Sequence, residues 1–379
     1  MSRPRPPSAS YAADVAVLGG GPTGAAAAIA LAEAGRSVVV VERSRYDSAR
    51  VGEALPPEVR TPLAELGVWD RFLACGPSPS PGVAYAWGEH ALKYHDFILN
   101  PVGPGWAVDR ARFDAMLAAA AAARGARVLT ATRPLSLGRG PAGGWTLVAA
   151  SPDGPIGLRA RALVDATGRA SSPVRRLGGG RLVVDRLVGL VAFLEASGME
   201  DRGTLVEAAE DGWWYTAPIP GGKVAAAFMT DADMVPKGRA ARGALWRVRL
   251  HGACETRGRL EGRRVLIEPG MVLANTTLIK RPAWDGRAAA GDAAATLDPL
   301  SGQGIHRALC SGLDAARAVD AHLRGDPWAL SRYSLQVASD FAADLAERAR
   351  FYARERRWRG RPFWERRTGR PSPGGLTVS

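Results

Sequence analysis

The sequence predicts an α/β fold: a Rossmann-like nucleotide-binding domain, a mostly antiparallel β-sheet inserted into it, and a C-terminal helical tail. Three observations predict this. A buried strand, a glycine turn, a helix and a second strand follow one another within residues 15–41. Short strand-like runs separated by turn dipeptides fill residues 182–229. Helical periodicity dominates from residue 303 onward.

The elements follow in order. Residues 15–18 are an apolar run between turn signals, a buried strand. Residues 22–34 are a helix, with Ile29 and Leu31 among alanines and Gly35 as its stop. Residues 38–41 are four valines, β-branched and strand-forming. Together they make one βαβ unit with parallel strands. Residues 57–73 read as helix, with Leu63, Leu66 and Trp69 on one side. A Pro/Ser/Gly connector at 76–82 leads into two strands over 83–99. An alanine-rich helix at 113–123 and a strand at 128–130 come next. Residues 145–150 and 158–164 flank Pro152-Asp153-Gly154-Pro155, a hairpin signal. Strands at 182–194, 204–209, 213–219 and 224–229 are punctuated by Asp211-Gly212 and Gly221-Gly222. A helix at 239–249, a strand at 265–279, and helices at 303–323 and 329–357 complete the chain. The nucleotide domain therefore takes residues 12–75, 105–180 and 265–328. The inserted substrate domain takes 76–104 and 181–264, and the basic helix and tail take 329–379.

Composition narrows the class. The 379 residues are 46% hydrophobic and 23% charged, ordinary for a soluble globular protein and unlike a disordered or collagen-like chain. Cys75, Cys254 and Cys310 are widely spaced, which argues for a reducing compartment and against structural zinc. Apolar runs are cut by Glu33, Arg36, Asp114 or Arg124 before they reach membrane length, and the first one carries Asp14, unlike a secretory leader. The expectation is a cytoplasmic protein. Formal charge is +13, with only four lysines. Between residues 347 and 370 stand ten arginines and three glutamates, with Tyr352, Trp358 and Trp364 interleaved. Two readings of residues 348–370 stay open: an Arg-rich helix clamped on the nucleotide domain, or a docking surface for an acidic partner polypeptide. No nucleic-acid motif is present, so neither nucleic acid nor membrane is expected as a partner.

Three motifs carry the chemistry. The first is Gly19-Gly20-Gly21-Pro22-Thr23-Gly24, between strand and helix. Gly19 permits the tight turn, Gly21 lets backbone approach a pyrophosphate at the helix N-terminus, and Gly24 lets helix and strand pack closely. Glu42, beside Arg43, ends the second strand where a carboxylate accepts ribose hydroxyls. The second motif is Asp165-Ala166-Thr167-Gly168, a strand running into a small-residue turn. The third runs from Gly291-Asp292 through Pro299, Gly302 and Gly304. Its Asp accepts hydrogen bonds from a ribityl chain, and its helix end supplies amides and partial positive charge beside a flavin's N1/O2 edge. NAD has no ribityl chain, so the three together select FAD.

These motifs resemble the FAD-dependent monooxygenases of the para-hydroxybenzoate hydroxylase fold, including flavin halogenases and geranylgeranyl reductases, over about residues 12–330. The resemblance implies non-covalent FAD, contacted by Arg110. Gly52-Glu53-Ala54-Leu55-Pro56-Pro57 is similar to the stretch beside the flavin in the halogenase branch. A closer similarity joins that stretch to Asp211-Gly212-Trp213-Trp214-Tyr215, Thr230-Asp231-Ala232-Asp233 and Arg357-Trp358 with Pro362-Phe363-Trp364. It resembles flavoproteins that mature protein-derived quinone cofactors, which accompany lysine or glycine oxidases and quinohemoprotein amine dehydrogenases and oxygenate a Trp of a partner polypeptide.

Departures matter. Halogenases carry Trp-x-Trp-x-Ile-Pro and a catalytic lysine; here the stretch is Trp213-Trp214-Tyr215-Thr216-Ala217-Pro218, and the lysine window holds Ser78, Pro79 and Ser80, with Lys93 the nearest lysine. Hydroxylases that take NADPH directly carry Asp-Gly followed by Ser and Arg; here Thr167-Gly168 precedes Ser171, Ser172 and Arg175. Electrons therefore come from NAD(P)H or from a separate flavin reductase. The implied reaction is oxygenation: reduced FAD adds O2 at its C4a carbon and passes an electrophilic hydroxyl to an aromatic, indole-type ring. Glu53 is the candidate base, Trp213 and Tyr215 candidate walls with Trp214 on the opposite strand face, and His306 a neutral hydrogen-bonding group. Alternatives are a small-molecule hydroxylase or halogenase, or an isoprenoid olefin reductase.

Overall fold

Four valines, Val38–Val41, lie fully buried inside a sheet, as a β-branched run covered on both faces should. The computed structural model describes residues 9–48, 52–140, 143–170, 180–368 and the short strand Thr377–Val378. Ser171, Ser172, Arg175 and Arg370 lie outside the described residues.

The first sheet is parallel at its centre. Val38–Val41 pairs with Ala9–Leu18, which pairs with Gly154–Asp165, which pairs with Arg287–Ala289. Arg127–Leu129 closes one edge. The hairpin of Trp145–Ser151 and Gly154–Asp165 forms where its turn residues put it. One face of the sheet packs on the helices Pro22–Glu33, Arg110–Ala123 and Gly304–Leu323. Trp145, Leu147 and Ile156 of the hairpin cover the other. Alanine richness lets the helices sit close: Pro22–Glu33 buries nine of its twelve residues.

The second sheet has seven strands, in the order Val265–Leu273, Leu187–Glu195, Lys223–Asp231, Gly212–Ile219, Thr204–Ala209, Gly82–Ala86 and Lys93–Asp96. All neighbours are antiparallel except Thr204–Ala209 against Gly82–Ala86. The strand expected at 182–194 is two strands. Asp185 Oδ1 accepts from the amides of Leu187 and Thr276, turning the chain from a small four-stranded sheet into the seven-stranded one. The run 265–279 divides the same way, so Val265–Leu273 belongs to the inserted sheet and not to the nucleotide domain.

The tail also differs from expectation. Instead of one helix over 329–357, Ala329–Tyr352 ends and Pro362–Thr368 begins afresh. Glu355 accepts from the Gly88 and Arg357 amides, Gly360 takes φ +91°, and Pro362 starts the new helix. Phe363 and Trp364 bury themselves with Tyr352, Trp87 and Trp213 on one face of the seven-stranded sheet. On the other face Trp214 packs with Phe228 and Trp246. Phe363 is fully buried, so Phe363→Ala should lower unfolding stability by about 3–5 kcal/mol. Denaturant midpoints check this.

Candidate active site: a nucleotide cleft joined to an apolar sheet face

The site begins with one close approach. A Cβ on Gly24 would overlap the Gly19 carbonyl, so the helix Pro22–Glu33 meets the strand end only because residue 24 is glycine. Gly24 therefore stands behind the site. A Cβ on Gly21 would meet nothing within 4 Å, because that backbone faces open cavity. The cavity holds about 1540 Å3. It is lined by Gly19, Gly21, Pro22, Thr23, Glu42, Arg43, Arg110, Thr167, Gly168, Gly291, Asp292, Pro299, Gly302 and Gly304. Every cofactor residue expected from sequence except Gly24 is thus on its surface.

Local bonds set the lining. Glu42 is buried; its carboxylate accepts from the amides of Gly20 at 2.6 Å and Ser44 at 2.8 Å, which fixes it at the strand end. Asp165 Oδ1 accepts from the Thr167 amide and hydroxyl and shapes the Thr167-Gly168 turn. Asp292, half-exposed, faces the Arg169 guanidinium at 3.1 Å. Arg169 also donates to the carbonyls of Asn275 and Leu297, stitching the second motif to the third. Gly302 turns the chain at φ +66° into the helix Gly304–Leu323. Arg110 pairs with buried Asp114 and donates to the Gly52 carbonyl at 3.4 Å.

Sequence reasoning missed several lining residues. Arg133, Pro134 and Leu135 come from a strand it did not identify, beside Glu42 because the Thr132 amide donates to the Glu42 carbonyl. Nothing in their sequence marks them. Arg169 was findable, since it directly follows Thr167-Gly168.

The cavity continues onto the seven-stranded sheet along Val191, Trp213, Tyr215, Ala225, Ala227, Met229 and Val272. Strand alternation puts Trp213 and Tyr215 here and Trp214 on the far side, so Trp214 is no part of the site. Glu53 sits on the cavity lining and is only 3% exposed. Its Oε2 accepts from the Gly52 amide at 3.0 Å, while Oε1 has no partner. Burial raises its carboxyl to about 7, against the opposing pull of backbone amides and Arg110. Burial, then the Glu53 charge, pushes the Tyr215 phenol far up, so it stays protonated. Burial holds His306 below the usual imidazole range; its Nε2 lies 3.7 Å from Cys310 Sγ and its Nδ1 has no partner. It is neutral at pH 7, as a helix N-terminus requires. Lys93 is exposed on a sheet edge and paired with Glu89; among the described residues no lysine lines the cavity.

Much of the basic tail is already neutralised. Arg348 pairs with Asp185 and Asp298, Arg357 with Glu355, Arg361 with Glu210, and Arg366 and Arg367 with Asp231. Arg350, Arg354, Arg356 and Arg359 remain exposed. Residues 348–370 are therefore not docking surface throughout. No helix among the described residues is long and apolar enough to cross a membrane.

The lining suits a flavin dinucleotide: a backbone cradle open at Gly21, an acid at the second strand end, and a glycine turn opening a helix. These features define a flavin-dependent oxidoreductase. Residues 12–222 match the model of the FAD binding domain family, and the chain belongs to that family. It is 28% identical over 360 residues to LodB of Marinomonas mediterranea, whose name places it among FAD-dependent oxidoreductases, covering 93% of this chain and 96% of that one. It is 25% identical over 350 residues to the sulochrin halogenase gedL of Aspergillus terreus, covering 82% of this chain but 64% of the relative. The fold matches the flavin-dependent halogenase CmlS with a TM-score of 0.86 at 24% identity, over 96% of this chain and 68% of that one. It matches the peptidyl tryptophan dihydroxylase QhpG with a TM-score of 0.81 at 26% identity, over 97% and 81%.

Gly21→Val should leave the far-ultraviolet spectrum and thermal midpoint near those of the parent while abolishing FAD retention, read as loss of flavin absorbance after gel filtration. A second expectation concerns pH. Glu53 binds its proton more tightly folded than unfolded, so stability of the FAD-free protein falls as pH rises from about 4.5 to about 7. The loss attributable to Glu53 is roughly 3 kcal/mol across that window. Denaturant midpoints against pH should show Glu53→Gln lacking that part of the slope.

Proposed function

We propose that this chain is a monooxygenase that hydroxylates an indole-type ring carried on a partner polypeptide, during maturation of a quinone cofactor. One observation carries the reading. A buried carboxylate with an unpartnered oxygen, Glu53, lines the cavity that joins the glycine turns to an apolar sheet face, and no lysine of the described residues lines it. FAD, when bound, supplies activation of O2. The remaining work falls to side chains. Trp213, Tyr215, Met229 and Val272 hold a flat apolar ring and exclude water. Glu53 Oε1 accepts the indole N–H, and the carboxylate takes up the proton the ring loses when oxygen replaces hydrogen. A carboxyl near 7 is matched to that duty at neutral pH.

The likeness to QhpG, a peptidyl tryptophan dihydroxylase essential for tryptophylquinone cofactor biogenesis, supports a peptide-borne substrate, and the near full-length likeness to LodB supports the FAD-dependent oxidoreductase class. The exposed Arg350, Arg354, Arg356 and Arg359 suit an acidic partner surface. NAD(P)H or a separate flavin reductase delivers the electrons. Halogenation is the second reading, favoured by the halogenase relatives. It needs an ammonium to hold the activated halogen, and Lys93 points elsewhere, held by Glu89.

The test incubates FAD-loaded protein, a reductant, O2 and Trp-bearing partner polypeptide, with chloride and bromide present. Mass spectrometry should find one or two added oxygens on Trp. A halogen mass instead overturns the reading. Glu53→Gln should lower product formation about a hundredfold while FAD absorbance is retained.

A further inference from the structure

A chain of buried hydrogen bonds joins the substrate-side wall to the turn that opens the flavin-side helix, and it passes through the C-terminal tail. The Trp213 indole N–H donates to Tyr352 Oη at 2.9 Å. The Tyr352 hydroxyl donates to Asp298 Oδ2 at 2.7 Å, and that oxygen also accepts from Arg348 Nε at 3.1 Å. Asp298 Oδ1 accepts from the Leu300 amide at 3.1 Å and so caps the turn Pro299–Ser301. Arg348 is held from behind by Asp185 at 2.9 Å. Tyr352 has no exposed surface, Trp213 has 1% and Asp298 6%.

The donor order is fixed. An indole N–H only donates and a carboxylate only accepts, so Tyr352 must accept from one and donate to the other. Trp213 and Asp298 both line the cavity, whereas Tyr352 and Arg348 do not. Two surfaces of one cavity are thus tied through residues that do not line it.

We propose that Tyr352 is a positioning residue, whose hydroxyl sets the Trp213 wall and the Pro299–Ser301 turn in one fixed relation. This rests on the reading that the turn and the helix after it hold the flavin. Arg348 is the second support, anchoring the same Asp298 oxygen from the other side.

The test is a double-mutant cycle of Tyr352→Phe and Trp213→Phe in the full chain, read by FAD affinity of the FAD-free protein and by visible circular dichroism of bound FAD. Tyr352→Phe keeps the ring against Trp87, Phe363 and Trp364 and removes the bridge alone. It should weaken FAD about fivefold and change the flavin dichroism. The double variant should be no weaker than the poorer single one. Affinity within twofold of the parent with unchanged dichroism overturns the proposal, and so do additive effects. Arg348→Lys, which keeps a cation and leaves the Tyr352 ring against Trp87, Phe363 and Trp364, should shift affinity and dichroism in the same direction by less, and serves alone if Tyr352→Phe does not fold. An unchanged flavin in that variant also overturns the proposal. Failure of the parent to bind FAD strikes the flavin reading itself, whereas normal binding by parent and variants strikes only the bridge.

Discussion

The site hangs from the contact between Gly24 and the carbonyl of Gly19. There the first helix touches the end of the first strand with no side chain between them, and this sets where the helix N-terminus points. The same helix then fixes the last one. A Cβ on Gly312 would overlap the Thr23 carbonyl, so the helix Gly304–Leu323 also packs backbone to backbone. Both helices that border the cavity are thus held by one stack of bare backbone, which leaves no room for a side chain at either glycine. The alanines along Pro22–Glu33 serve this stack: larger side chains would hold the neighbouring helices off.

The second half of the site is organised by burial of aromatic and charged groups together. Trp213, Trp87, Tyr352, Phe363 and Trp364 form one cluster on the seven-stranded sheet. Arg367 lies over the Phe363 ring at 3.7 Å while bonding Asp231 at 2.7 Å. Its guanidinium is nearly fully buried, yet its charge is matched by a carboxylate and by ring faces. Arginine suits this role better than lysine because its planar group stacks and bonds at once. Arg348, Arg357 and Arg367 are thus internal structure, while Arg350, Arg354, Arg356 and Arg359 stay at the surface.

The fold and half of the site were legible in the sequence for a plain reason. The residues that line the nucleotide end of the cavity occur in short motifs whose chemistry depends on spacing along the chain: Gly19 to Gly24, Thr167-Gly168, and Gly291 to Gly304. Strand alternation likewise separated Trp213 and Tyr215 from Trp214. What stayed hidden depends on contacts between distant segments. The bend at Asp185 is set by the Thr276 amide, the unpartnered oxygen of Glu53 by the closing of the cavity around it, and the break after Tyr352 by Glu355 reaching the Gly88 amide. The aromatic residues of the tail are spaced like those of a charged surface helix, and only the sheet they cover shows that they are core.

That the tail covers one face of the seven-stranded sheet has a consequence for how the protein is made. Residues 348–368 follow the strands of both large sheets in the sequence, so a ribosome delivers them after those strands. Until they emerge, Trp213 has no partner for its indole N–H and Asp298 holds its turn without Tyr352 or Arg348. A truncated or stalled chain therefore carries the glycine cradle but not the finished chamber beside it. The apolar wall around Trp213 is therefore finished only after both sheets have been made.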